Sequence, residues 1–142
     1  MIREIRHVGI VVQDLKKITN FFINDLGFKL HKKTSEDSDF IDKILKLKKT
    51  KLVTAKLKLP NGHLVELLKF KNYPHKIKWQ GKIFHTGMTH IALTVKNINT
   101  KFLTLQKKYK FNSSPTISKD GNAMVAFFYG PENIIIELVE EL

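Results

Sequence analysis

Two histidines and two glutamates stand out because the sequence around each of them occurs twice. His7 opens the segment HVGIVVQDLKK (residues 7–17) and His90 opens HIALTVKNINT (90–100), an offset of 83 residues. Glu66 lies in Pro60-Asn61-Gly62-His63-Leu64-Val65-Glu66-Leu67-Leu68, and Glu137 in Pro131-Glu132-Asn133-Ile134-Ile135-Ile136-Glu137-Leu138-Val139, an offset of 71. Strand alternation puts Glu66 on the face of Leu64 and Leu68, and Glu137 on the face of Ile135 and Val139. A carboxylate among such neighbours is costly to bury unless it is paired or binds a metal. Two imidazoles and two carboxylates make a mixed nitrogen and oxygen donor set. It suits a divalent first-row ion (nickel, zinc, cobalt, manganese or iron) better than calcium or magnesium. The chain has no cysteine, which excludes a thiolate nucleophile and Cys-ligated zinc. An open site with room for water or substrate oxygens is therefore expected rather than a closed structural one.

Taken singly, a histidine on an apolar strand is most often a core residue, and a strand glutamate is most often salt-bridged. The coincidence of all four at repeat-equivalent positions is what makes them candidates. His31, His63, His75 and His85 have no repeat partner and read as surface residues. Asp120-Gly121 and Pro60-Asn61-Gly62 read as turns.

The elements that must position these four residues are themselves duplicated. The run His7–Val12 is rich in β-branched residues and reads as a strand. Asp14 can cap a following helix with an apolar face of Leu15, Ile18, Phe22 and Leu26, ended by Gly27. The second copy has the strand His90–Val95, a cap at Asn97 or Asn99, and a helix face of Ile98, Phe102, Leu105 and Tyr109. Strands are expected around 28–33, 52–59 and 63–70, and again around 111–117, 123–129 and 133–140. The order βαβββ thus occurs twice, in modules spanning 1–70 and 84–142 of a single domain covering 1–142. Residues 71–83, with Pro74 and Gly81, form the connection. The two offsets differ by 12, so the first module carries that many extra residues. They include Phe40–Leu47, whose spacing predicts a short amphipathic helix over one end of the sheet.

The chain's 142 residues fit one domain able to bury a core, and 42% hydrophobic with 27% charged residues is ordinary globular usage. No apolar run approaches the ~20 residues of a membrane span, so no membrane association is expected. The opening Met1-Ile2-Arg3-Glu4 has no signal-peptide character, and with no cysteine a cytoplasmic protein is the simplest reading. The net charge of +12 comes from 25 basic and 13 acidic residues, a balance that attracts small acidic substrates and polyanions. Only Arg3 and Arg6 among the basic residues are arginine, and the lysines are scattered. Bidentate reading of phosphates and bases favours arginine, so no nucleic acid partner is expected.

The segments HVGIVVQDLKKITNFFINDLGFKL, LVTAKLKLPNGHLVELLKF, MTHIALTVKNIN and VAFFYGPENIIIELVE resemble the vicinal oxygen chelate superfamily. That superfamily includes glyoxalase I, methylmalonyl-CoA epimerase, extradiol dioxygenases and the bleomycin- and fosfomycin-resistance proteins. The resemblance implies an α+β fold of two tandem βαβββ modules forming a half-open barrel around a metal held by His7, Glu66, His90 and Glu137. It also implies a homodimer and a small-molecule substrate. A His-Glu-His-Glu quartet is similar to bacterial glyoxalase I (lactoylglutathione lyase). Methylmalonyl-CoA epimerases usually have glutamine where Glu66 stands, extradiol dioxygenases use a His-His-Glu triad, and bleomycin-binding proteins lack the quartet. The function so implied is a metal-dependent lyase or isomerase that moves a proton next to a carbonyl through a metal-stabilised enediolate, on a glutathione-type thiol conjugate. Glu137 is the implied base, with Glu66 as second choice. The alternatives are a methylmalonyl-CoA epimerase-like enzyme and a non-catalytic binding or resistance protein. Three features depart from the glyoxalase I pattern. The late turn reads Gly130-Pro131-Glu132-Asn133 where Asp-Pro-Asp/Glu-Gly is usual, His31-Lys32-Lys33 stands where an arginine holds a glutathione carboxylate, and the Phe40–Leu47 insertion is additional.

Overall fold

The computed structural model of the chain describes residues 1–74 and 82–142. The connection expected over 71–83 lies partly outside the described residues, as does His75. The chain divides into two compact units, Met1–Ile77 and Lys78–Leu142, each an open sheet backed by a helix.

In the first unit the elements are β1 (Val8–Val11), α1 (Leu15–Asn20), β2 (Lys29–Glu36), α2 (Asp39–Leu45), β3 (Leu52–Lys58) and β4 (Leu64–Phe70). The sheet order is β1-β4-β3-β2. β1 runs parallel to β4, and the β2–β3 and β3–β4 pairs are antiparallel. The Asp14 side chain caps α1 by accepting from the Lys17 amide at 2.9 Å, as the sequence predicts. The helix then widens into a π-helical turn over Phe21–Asp25, which helical periodicity does not foresee. The Leu26 amide donates to the Phe21 carbonyl five residues back. The wider turn points both Phe21 and Phe22 inward, at 2% and 0% exposure. Phe22 then meets Phe28 edge-on with ring centroids 5.2 Å apart. The chain leaves the helix through Gly27 at φ 81°, the left-handed conformation that glycine adopts without strain. Together with Ile18, Ala55, Leu57, Val65 and Leu67, these aromatics form the buried core of the unit.

α2 forms where the apolar spacing predicts it, but it is not a covering helix. Of its apolar residues only Ile41 is buried, while Phe40 and Ile44 are 64% and 56% exposed. The helix is tied by Asp42, whose carboxylate accepts from the Lys49 and Thr50 amides at 2.7 and 2.9 Å.

The second unit contains β5 (His90–Thr94), α3 (Ile98–Leu105), β6 (Lys110–Phe111), β7 (Thr116–Ile117), β8 (Ala123–Tyr129) and β9 (Ile135–Glu141). Its sheet runs β5-β9-β8-β6, with β7 also paired to β8. Again the first strand, β5, is parallel to the last, β9, and the β8–β9 pair is antiparallel. Two expectations change here. The strand expected over 111–117 is broken into β6 and β7. Pro115 offers no amide to a ladder, and the Ser114 carbonyl instead accepts from the hydroxyls of Ser113 and Thr116. Asn97, one of the two expected positions, is the N-cap residue, but its side chain makes no cap hydrogen bond. Glu140 on β9 accepts from the Asn97 and Ile98 amides at 2.7 and 3.0 Å, so a strand carboxylate satisfies the free N–H groups of α3 and complements its dipole. Ile98, Leu105, Ala126, Phe128, Ile136 and Leu138 form the core.

Candidate metal centre

Each unit brings one predicted histidine against one predicted glutamate. His7 stands just ahead of β1, and Gly9 on β1 is the register partner of Glu66 on β4. His90 begins β5, and Ala92 two residues on is the register partner of Glu137 on β9. In both units the histidine therefore lies two residues before the strand partner of the glutamate, on the same sheet face. The parallel pairing of first and last strands converts the sequence offsets into one repeated geometry.

The contacts are close. His7 Nε2 is 2.9 Å from Glu66 Oε2, and His90 Nε2 is 3.1 Å from Glu137 Oε2. Both pairs are partly withdrawn from solvent, the glutamate side chains at 13% and 20% exposure and the histidines at 32% and 33%. A half-buried carboxylate is tolerated there because the imidazole partners it.

The same spacing suits metal ligation. Two donors each ~2.1 Å from a first-row ion, and ~90–110° apart around it, lie about 3.0–3.4 Å from one another. The His90–Glu137 separation falls in that range and the His7–Glu66 separation lies just below it, and the donor chemistry is of the right kind. Within either unit, among the described residues, the His, Asp and Glu side chains do not gather in groups of three or more, so the donors come in twos.

The surroundings of the two pairs differ. The far nitrogen of His90, Nδ1, is 2.8 Å from the Thr89 hydroxyl, and the His90 ring meets Phe127 edge-on at 5.3 Å. Phe127 is the cross-strand neighbour of Glu137 on β8. His7 Nδ1 is buried and has no hydrogen-bond partner among the described residues. The cross-strand neighbour of Glu66 is Lys56 on β3, a residue the sequence reading did not single out. Its signal was present in the alternation Thr54-Ala55-Lys56-Leu57-Lys58 and in the Pro60-Asn61-Gly62 turn, which together set the register. His31, His63 and His85 are exposed, as expected.

The model of the Glyoxalase/Bleomycin resistance protein/Dioxygenase superfamily matches residues 4–138. The chain belongs to this superfamily. Solved structures of similar fold include a glyoxalase family protein from Bacillus cereus, 21% identical, with a TM-score of 0.91 over 100% of this chain and 96% of that one. The fosfomycin resistance protein FosX from Listeria monocytogenes, solved with Mn(II) and sulfate, is 16% identical with a TM-score of 0.67, over 100% of this chain and 95% of its own. A glyoxalase I mutant from Zea mays is 20% identical with a TM-score of 0.68. There the alignment covers 96% of this chain and 46% of the maize protein. At these identities the likeness is one of fold. The superfamily contains both enzymes and resistance proteins, and one scaffold carrying several chemistries leaves the activity to be argued from the site.

Proposed function

We propose that this protein is a metal-dependent lyase or isomerase of the glyoxalase I type, which moves a proton next to a carbonyl of a small oxygenated substrate. The observation that carries the reading is the repeated His–Glu pair, set at the same strand register in both units with Nε2···Oε2 separations of 2.9 and 3.1 Å. A pair supplies two donors, whereas protein sites for first-row ions take three or four. In this reading His7, Glu66, His90 and Glu137 together hold one ion per chain. When bound, the ion supplies a Lewis acid for a substrate with adjacent oxygens.

The residues of the chain supply the rest. Glu137 takes the proton from the hydroxyl-bearing carbon beside the carbonyl and returns it to the carbonyl carbon, while the hydroxyl proton passes to the neighbouring oxygen, so the net change is an isomerisation with no proton gained or lost. His90 fixes the orientation of the Glu137 carboxylate, and Phe127 limits rotation of the His90 ring. The reading includes a homodimer and a cytoplasmic setting, the latter supported by the lack of cysteine. The mainly lysine-borne net charge of +12 supports an anionic substrate such as a glutathione-type thiol conjugate.

The test is a turnover screen with hemithioacetal and acyl-CoA substrates on the native protein and on Glu137→Gln and Glu66→Gln. General-base catalysis is worth about 10²–10⁴ in rate, so Glu137→Gln should lose turnover on that scale while retaining folded structure and much of its metal. Glu66→Gln should lose less. Unchanged turnover in Glu137→Gln removes that residue as the base. A native protein that binds such compounds and converts none of them supports a binding protein instead.

A further inference from the structure

The first unit carries a charged row across its sheet that has no counterpart in the second. The register pairs Gly9 with Glu66, Glu66 with Lys56, and Lys56 with Lys32. Directly opposed residues point to the same face, so Lys32, Lys56, Glu66 and Gly9 lie side by side from β2 to β1, with His7 next to Glu66. Lys32 reaches this row through an irregularity in the ladder. The pairing shifts between Leu30 and Lys32, and without that extra residue His31 would face Lys56 and Lys32 would point to the opposite side of the sheet. The corrected parity is visible one step further on, where the hydroxyls of Thr34 and Thr54 meet at 2.7 Å.

This placement has a cost. Two like charges directly opposite one another destabilise a sheet, and Lys56 is half-buried. The one acid in the row, Glu66, is engaged by His7, and among the described residues neither Lys32 nor Lys56 forms an ion pair. The face therefore presents two ammonium groups beside a candidate ligand pair. In the second unit the equivalent row is Phe127, Glu137 and Ala92, with no cation.

The geometry points to Lys56, with Lys32 beside it, as the seat for an oxyanion of the substrate, a carboxylate or phosphoryl group attached to the oxygen-bearing carbons. This rests on the reading of the His7–Glu66 face as the substrate side, and it gives the substrate class as a small organic anion. A lysine ammonium binds such a group as a point charge, reinforced by direct hydrogen bonds. Lys56 is a binding and specificity residue.

The experiment is an amide-resolved NMR titration of the full-length protein as purified, using malonate, methylphosphonate and the neutral analogue malonamide as probes. Metal content is measured on the same samples. The native protein should bind one of the two anions with shifts centred on residues 54–58 and 32–34, and should ignore malonamide. The better anion identifies the oxyanion. Lys56→Met should weaken that binding about tenfold or more. Lys56→Arg, which keeps the charge, should restore most of it, and Lys16→Met on the exposed face of α1 should leave it unchanged. Equal affinity in Lys56→Met, equal loss in Lys16→Met, or binding of malonamide as strong as that of malonate would overturn the inference. Metal-bearing protein without Lys56-dependent binding overturns this inference and leaves the proposed function standing. Protein that stays metal-free after reconstitution, yet shows Lys56-dependent binding, does the reverse.

Discussion

The His7–Glu66 and His90–Glu137 pairs share residue types, strand register and separation, yet almost everything touching them differs. The second pair is buttressed, with the Thr89 hydroxyl on the far side of the imidazole and Phe127 against its ring. The first has Arg6 where Thr89 stands, an unpartnered Nδ1, and lysines in the adjoining row. Duplication preserves what the parallel pairing of first and last strands dictates, because moving the histidine or glutamate by one residue would turn it to the other sheet face. The flanking positions carry no such constraint and have diverged. The second unit, with its buttressed histidine, carries the proposed base, and the first, with its cations, carries the proposed anion seat.

The comparison can be broken at its support groups. Hydrogen bonds to the far nitrogen of a ligating histidine typically control metal affinity by about 10–100-fold. Thr89→Val should therefore weaken metal binding on that scale, whereas Arg6→Ala should leave it within about twofold. Competition titration with a chromogenic chelator reads both. Equal effects of the two substitutions would remove the asymmetry.

A smaller effect separates the turn before β4 from the turn before β8. In the first unit the turn before β4 uses a neutral side chain, with Asn61 Oδ1 accepting from the His63 amide at 3.1 Å. In the second, the Asp120 carboxyl is held below its ordinary value by the Ser118 hydroxyl and then by the Asn122 amide, at 2.6 and 3.1 Å. A depressed carboxyl stabilises the folded turn above the ordinary carboxylate value of 3.8, and the contribution is lost as pH falls through the depressed one. On acidification, after correction for the intrinsic rate, amide exchange at 118–123 should accelerate relative to 59–63, with little change in global stability because the group is exposed. Parallel behaviour of the two turns would contradict this.

Much of this was legible in the sequence because the repeat carries its own check. Two local motifs, each found twice, mark His7 with His90 and Glu66 with Glu137 without any knowledge of contacts, and the Asp14 cap and the Gly62 and Gly121 turns follow from local chemistry. What escaped depends on pairings distant in sequence or on geometry without a residue signature. Glu140 caps a helix more than forty residues away, and no propensity announces it. The π-helical turn at Phe21–Asp25 is set by the demand that both phenylalanines face the core. The ladder irregularity that turns Lys32 toward Lys56 is a property of two strands together, so the charged row emerges only once the register is known. α2 was placed by its apolar spacing, yet that spacing does not say whether the face is covered.

The proposal that His7, Glu66, His90 and Glu137 hold one ion is put at risk by elemental analysis of the tag-free protein after reconstitution with nickel, cobalt, zinc or manganese, with His7→Ala and His90→Ala measured alongside. About one ion per chain is expected in the native protein, with loss of that ion in either variant, since each removes one donor from the proposed set. Two ions per chain, or full occupancy surviving in either variant, would show that the pairs are independent and contradict it.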